Sequence, residues 1–286
     1  MKDTNKFPQK NSHKVNVKNF PLSEGFEWAI QDSKDRQHLT SGMKELDRIL
    51  GGDGFETKMV YEVYGPLGAG KSNLLFQLIC TALLPTSQGG LGAGTVFIDT
   101  ERTFSLTRVQ QIARRLKVNL EKPEQKIIRS APPTSDMLIY LCERQLERLG
   151  REVGARLFCL DSLATHFRSE YGPGQIPARH QKAGRVVQAL RHVARSTNGV
   201  VIMTNQTTMR SDVISQDRSW KYSLGNVVGH AIPIRLRARV KNSVTGLREI
   251  TVEKALDLPA EKCEVYLGPL GFTDTPQKTL RMSDMF

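Results

Sequence analysis

Gly65-Pro66-Leu67-Gly68-Ala69-Gly70-Lys71-Ser72 is a complete G-x-x-x-x-G-K-[ST] phosphate loop. Its glycines allow backbone N–H groups to curl around phosphates, and the helix opened by Asn73 adds partial positive charge at its N-terminus. Lys71 is suited to neutralise β- and γ-phosphates, and the Ser72 hydroxyl to ligate Mg²⁺. The spacing therefore predicts a nucleoside-triphosphate site with a divalent cation.

Such a site needs acids beyond the loop. Asp161 ends the hydrophobic run Leu157-Phe158-Cys159-Leu160, which suits it to hold Mg²⁺ through water. Glu101 follows the short run TVFID by two residues, at a strand C-terminus where α/β proteins place their ligands. We assign Glu101 to orient or deprotonate an attacking water, with Asp99 as the alternative.

The surrounding elements must bring these residues together. Thr57–Tyr64 is β-branched and aromatic, as a strand before the loop should be, and Asn73–Leu84 is an apolar helix after it. Strands are expected at 95–99, 126–129, 156–161 and 199–204, with helices at 40–52, 107–117, 135–149 and 178–196. Alternation of this kind implies an α/β fold with a mostly parallel central sheet covered by helices on both faces. Ile232–Val240 and Leu247–Glu253 read instead as a C-terminal antiparallel hairpin with one solvent face.

The 286 residues suffice for one large domain plus a tail. No apolar run is long enough to span a bilayer, and no signal peptide is visible. The four cysteines show no metal spacing and read as buried free thiols of a reducing compartment. A net charge of +12 exceeds what a nucleotide site needs and points to a polyanionic partner, most simply nucleic acid. The cations cluster: Arg179, Lys182, Arg185, Arg191 and Arg195 on one expected helix, and Arg235, Arg237, Arg239 and Lys241 along one strand.

In order, the segments LTSGMKELDRILGG, FETKMVYEVYGPLGAGKSNL, GTVFIDTERTF, LDSLATHFRSEY and VVIMTNQ resemble the ATPase core of the RadA-type recombinases, the archaeal and eukaryotic relatives of RecA. The resemblance covers roughly residues 25–272. It implies a RecA-like P-loop ATPase core, ATP and Mg²⁺ as cofactors, and DNA-dependent ATP hydrolysis. Residue by residue it implies Lys71, Glu101 and Gln206 as catalytic, with Gln206 sensing the γ-phosphate. Ser72 and Asp161 would serve the metal, and Arg108 would stack on adenine. It also implies two DNA loops, at 166–179 and 207–224. Their candidate contacts are Arg168, Arg179, Arg210, Arg218, Trp220 and Lys221, which combine cations for phosphates with an aromatic for bases. Phe26 and Ala29 match the family's Phe-x-x-Ala element, which docks on a neighbouring subunit.

The implied organisation is a disordered basic tail at 1–24, a linker with the oligomerisation motif at 25–39, and the ATPase domain at 40–286. The implied partners are single- and double-stranded DNA and a helical filament of the same chain or of a related recombinase, without a membrane. The preferred setting is the cytoplasm or nucleoid of a prokaryote, or else a eukaryotic nucleus. Four departures from the family pattern matter. Only about 24 residues precede Phe26, leaving no room for the family's helix-hairpin-helix domain. The first loop, Tyr171-Gly172-Pro173-Gly174-Gln175, is one residue short and lacks its usual arginine. Arg102 follows Glu101 where a small or neutral residue is usual. Ala255–Glu264, with Asp257 and Pro259, aligns poorly with the acid–proline cap over a neighbour's ATP. These departures point to an accessory paralogue that assists a recombinase as the alternative to a self-sufficient one. A RecA-fold ATPase with a non-DNA task is a third class, opposed by HFRSEY and the basic loops.

Overall fold

The computed structural model describes residues 31–208, 221–222 and 225–277. Phe26, Ala29, Arg210, Arg218 and Trp220 lie outside the described residues.

Two units are distinguished, 1–36 and 37–286. Of the first, residues 31–35 form a helical turn. Gln31 bonds to Asp35 at 2.8 Å and Arg36 to Asp32 at 3.1 Å, both at the i,i+4 spacing that supports helix.

The second unit begins with β1 (His38–Leu39), α1 (Lys44–Ile49) and β2 (Phe55–Glu56), with β1 and β2 paired antiparallel. Leu39 is fully buried, so this unit takes in residues on the N-terminal side of 40. There follow β3 (Val60–Gly65), α2 (Lys71–Leu83), β4 (Gly94–Asp99), α3 (Leu106–Leu116) and β5 (Ile127–Ser130). The strand before the loop starts three residues later than its β-propensity suggests. Lys58 takes a left-handed conformation (φ 64°), and its N–H bonds to Gly199 instead of continuing a ladder. Next come α4 (Ser135–Tyr140), a π-helical turn at Leu141–Gln145, α5 (Leu146–Glu152), β6 (Ala155–Asp161), α6 (Ala164–Ser169) and α7 (Ile176–Ser196). The expected single helix at 135–149 is thus one helical run to Glu152, interrupted by the π-turn. The chain closes with β7 (Val200–Thr208), β8 (Lys221–Tyr222), α8 (Gly225–Ala231), β9 (Ile234–Asn242), β10 (Leu247–Lys254), β11 (Lys262–Gly268) and β12 (Gly271–Thr273).

The main sheet runs β12-β11-β10-β9-β3-β7-β6-β4-β5, with β8 attached to β7. Pairing is parallel from β9 through β3, β7, β6 and β4 to β5, and antiparallel from β9 to β12. The two-residue period of the strands splits their apolar side chains between two cores. Phe97, Leu157, Cys159 and Ile202 pack with α2 and α3, while Val96, Ile98, Phe158, Leu160 and Met203 pack with α4 to α7. Each fully buried large apolar side chain contributes roughly 1.5–3 kcal/mol. All four cysteines are free and buried in these cores, as expected. Among the described residues no helix is long and apolar enough to cross a membrane.

Two loop expectations change. Within 166–179 only Glu170–Gln175 lies between α6 and α7, and part of that is a 3-10 turn. Thr207 and Thr208 are strand residues paired with Tyr222 and Lys221, so the second loop rises from a hairpin base.

Candidate active site

Strand register assembles the site. In the β3–β7 ladder Gly65 lies opposite Gln206, and in the β4–β6 ladder Asp99 lies opposite Asp161. The C-terminal ends of four parallel strands therefore converge, at the edge where open α/β sheets bind ligands. The phosphate loop leaves β3 there and turns into α2. Gly70 caps α2 at φ 95°, and a Cβ at that position would stand 2.5 Å from the Phe272 ring. At Gly65 a Cβ would stand 2.1 Å from the Ala238 carbonyl oxygen. Only glycine meets both demands, so the motif glycines are required by packing as well as by phosphate approach.

A cavity of 380 Å³ lies over the loop, lined among others by Lys71, Ser72, Asn73, Glu101, Asp161 and Gln206. Lys71 donates from Nζ to the carbonyl oxygens of Gly65 (2.9 Å) and Pro66 (3.0 Å). Burial holds its pKa below the usual lysine value, opposed by the charges of Asp161 and Glu101. The ammonium is thus held over the loop by carbonyls that a phosphate oxygen would outcompete. Asp161 is 1% exposed, and burial raises its pKa, while hydrogen bonds from Ser72 and Thr204 favour the ionised form. Ser72 and Asp161 fit the cation: a hydroxyl and a buried carboxylate in contact beside the loop. Among the described residues no group of three or more His, Cys, Asp or Glu converges, so a cation here draws its remaining oxygens from phosphates and water.

Glu101 is half-buried and, among the described residues, is held on one side only. Its Oε1 accepts hydrogen bonds from Ser162 Oγ (2.7 Å), Thr165 Oγ1 (3.2 Å) and Gln206 Nε2 (2.8 Å). The other oxygen keeps its lone pairs for a proton. Asp99 is fully buried and engaged otherwise: Arg129 reaches it at 2.7 Å, and the N–H groups of Thr103 (2.9 Å) and Phe104 (3.2 Å) donate to it. It braces the turn that carries Glu101.

Ser162 and Thr165 were not singled out in the sequence. Their signal was the pair of hydroxyls one and four residues after Asp161: Ser162 lies just before α6 and Thr165 in its first turn, and the two hydroxyls are 2.8 Å apart. Arg108 sits outside the cavity lining. Its Nε donates to Asn73 Oδ1 at 2.8 Å, and its guanidinium also holds the carbonyls of Gly268 (2.6 Å) and Pro269.

The candidate DNA residues fall into two groups. Arg168 is exposed on α6, and its guanidinium donates to Gln206 Oε1 at 3.1 Å. Arg179 is half-buried, and its Nε has no hydrogen-bond partner among the described residues. Five of the nine cations in the basic clusters named in the sequence pair with acids. Lys182 bonds Asp136 at 2.6 Å, Arg185 bonds Glu143 at 2.7 Å, Arg235 bonds Glu62 at 2.5 Å, Arg237 lies in an ion pair 2.9 Å from Glu253, and Lys241 lies 3.6 Å from Glu249. Asp136, Glu143 and Glu62 come from distant segments and Glu253 and Glu249 from the adjoining strand β10, so the charge pattern alone overstated the free positive surface.

A family model described as Rad51 matches residues 33–275. The DNA repair and recombination protein RadA of Cenarchaeum symbiosum is 34% identical over 243 residues, covering 84% of this chain and 59% of that protein. RadA of Methanoculleus marisnigri is 36% identical over 220 residues, covering 73% of this chain and 67% of the relative. RadA of Ignicoccus hospitalis is 33% identical over 242 residues, covering 82% and 72%. The chain thus spans 59% to 72% of the length of these relatives. The family model covers most of the chain, and the protein is a member of the Rad51 family with a RecA-like fold.

Proposed function

We propose that this chain is a DNA-dependent ATPase that binds single-stranded DNA in its ATP form, assembles along it, and acts in homologous recombination and repair. The observation that carries this reading is the convergence of Lys71, Ser72, Asp161, Glu101 and Gln206 on one cavity, with Glu101 anchored through a single oxygen. The loop residues Gly65 to Asn73 cradle the phosphates, Lys71 offsets their charge, and Arg108 lies against Asn73 on the side assigned to adenine. Ser72 and Asp161 would hold Mg²⁺, which when bound offsets charge on the phosphate oxygens. Glu101 takes a proton from the attacking water at Oε2 while Ser162 and Thr165 keep the carboxylate in place.

Arg168, Arg179 and Lys221 border the DNA side, with Arg210, Arg218 and Trp220 on the segment between β7 and β8. Phe26 and Ala29 would join neighbouring copies, or a related recombinase, into a filament. Double-stranded DNA is the second expected substrate, and the cytoplasm or nucleoid the expected setting. The RadA relatives, named for DNA repair and recombination, support the assignment.

One observation favours a second reading, an accessory member that assists a separate recombinase. The short first loop is pinned at its start, because Glu170 accepts from the Ser135 N–H at 2.8 Å and from its hydroxyl. Electron microscopy with single-stranded DNA and a non-hydrolysable ATP analogue separates the two. Long regular filaments are expected for the first. Short stacks or isolated particles would support the accessory role, and no ATP-dependent DNA binding would overturn both.

A further inference from the structure

Two cavities meet at Glu101 and Gln206. One is the cavity over the phosphate loop. The other is an open cleft of 540 Å³ flanked by Arg102 and Arg168 and lined also by Thr165 and Ser169. Gln206 spans the wall between them. Its Nε2 donates to Glu101 Oε1 at 2.8 Å, and its Oε1 accepts from Arg168 at 3.1 Å. This orientation is forced. A guanidinium only donates and a carboxylate only accepts, so the amide oxygen must face Arg168 and the amide nitrogen Glu101.

The Arg168 end of this relay is easily exchanged. Arg168 is exposed, and its bond is to a neutral amide. A phosphodiester offers a charge-assisted, bidentate alternative about twice as strong as a neutral hydrogen bond. Arg102 adds a second cation at the lip. It is exposed, holds a left-handed backbone at φ 57°, and among the described residues has no hydrogen bond or ion pair. Non-glycine residues rarely adopt that conformation, and those that do cluster at functional sites.

We propose that Arg168 is a positioning residue that exchanges partners. Without nucleic acid it holds Gln206 on Glu101. This hydrogen bond draws charge from the carboxylate and turns the amide away from the phosphate loop. A backbone phosphate of a single strand, entering the cleft between Arg102 and Arg168, takes the guanidinium and frees Gln206 to turn toward the terminal phosphate. This proposal rests on the reading of the chain as a DNA-dependent ATPase, and it identifies the DNA-side group that restrains hydrolysis at rest.

The test measures ATP hydrolysis by the full chain with and without oligo(dT). Arg168→Ala is expected to raise the DNA-free kcat roughly three- to tenfold, the worth of one hydrogen bond, with KM for ATP unchanged and stimulation by DNA reduced. Combined with Gln206→Ala it should add nothing to the Gln206→Ala rate, because both act through one amide. Arg168→Met keeps the aliphatic stem and serves the same test if the alanine variant does not fold. A residue with only a DNA-contacting or packing role would leave the DNA-free rate unchanged or lower it, and that result overturns the proposal. If the wild type neither hydrolyses ATP nor responds to DNA, the underlying functional reading fails instead.

Discussion

The cations of β9 and those around the cleft beside Glu101 look alike in the sequence and differ in the fold. On β9, Arg235 is buried against Glu62, whose second oxygen accepts from Asn205 at 2.8 Å, and Arg237 meets Glu253 on the neighbouring strand. Lys254 on β10 bonds the carbonyls of Gly229, His230 and Ile232 and so ties down the end of α8. These groups join the antiparallel edge of the sheet to its parallel centre. Around the cleft, Arg102 and Arg168 are exposed, and among the described residues the one hydrogen bond of Arg168 is to an amide that leads to Glu101. A buried cation with an acid is part of the architecture, whereas an exposed cation facing a neutral partner remains available to an anion.

This difference is open to a double dissociation. The largest expected effect belongs to the parallel side. Glu101→Gln should lower hydrolysis by about 10²–10⁴-fold while nucleotide binding and thermal stability stay near wild type, as single-turnover kinetics and a melting curve would show. Hydrolysis near the wild-type rate would move the base elsewhere. Arg235→Ala should do the reverse. It leaves Glu62 buried without its cation, at a cost of about 3–5 kcal/mol in stability by denaturant unfolding. If stability stayed within a few tenths of a kcal/mol and DNA affinity fell instead, β9 would be a nucleic-acid surface after all.

Arg179→Ala is the intermediate case, since the residue is half-buried and its buried Nε has no hydrogen-bond partner among the described residues. The expected change is a weaker single-strand affinity with the log–log salt slope reduced by about 0.7, and no loss of melting temperature. An unchanged slope would remove it from the interface. The smallest effect concerns the two cores. Burial pushes the thiols of Cys80, Cys142 and Cys263 up to about 12, and that of Cys159 well above its ordinary value. Thiolate is therefore scarce near pH 8, and iodoacetamide labelling of the native chain should be slow at all four until denaturant is added. Fast labelling of one thiol would identify a loosely packed region.

The site was legible to different degrees, for reasons that differ by residue. Lys71, Ser72 and Asp161 were visible because phosphate chemistry imposes a fixed spacing on the loop and a hydrophobic strand before the acid. Glu101 was visible only as an acid at a strand end. That Asp99, the alternative, is engaged by Arg129 and two backbone N–H groups became visible only in the fold. Ser162 and Thr165 were passed over because hydroxyls are common and gain meaning only when a helix turns them onto a carboxylate. The helix run at 135–152 was legible from its apolar period, whereas the π-turn inside it has no such signature.

By itself the sequence determined the α/β class, the order of the longer strands and helices up to β10, the two-faced cores and the phosphate loop, because these follow from local periodicity and from spacing within one segment. The tertiary structure alone decided which cations are free, which acid faces the loop, and that Gln206 links Arg168 to Glu101. Those are properties of residues far apart in the chain, such as 62 with 235 and 101 with 168 and 206. Only the register of neighbouring strands, Gly65 beside Gln206 and Asp99 beside Asp161, brings them within hydrogen-bonding reach.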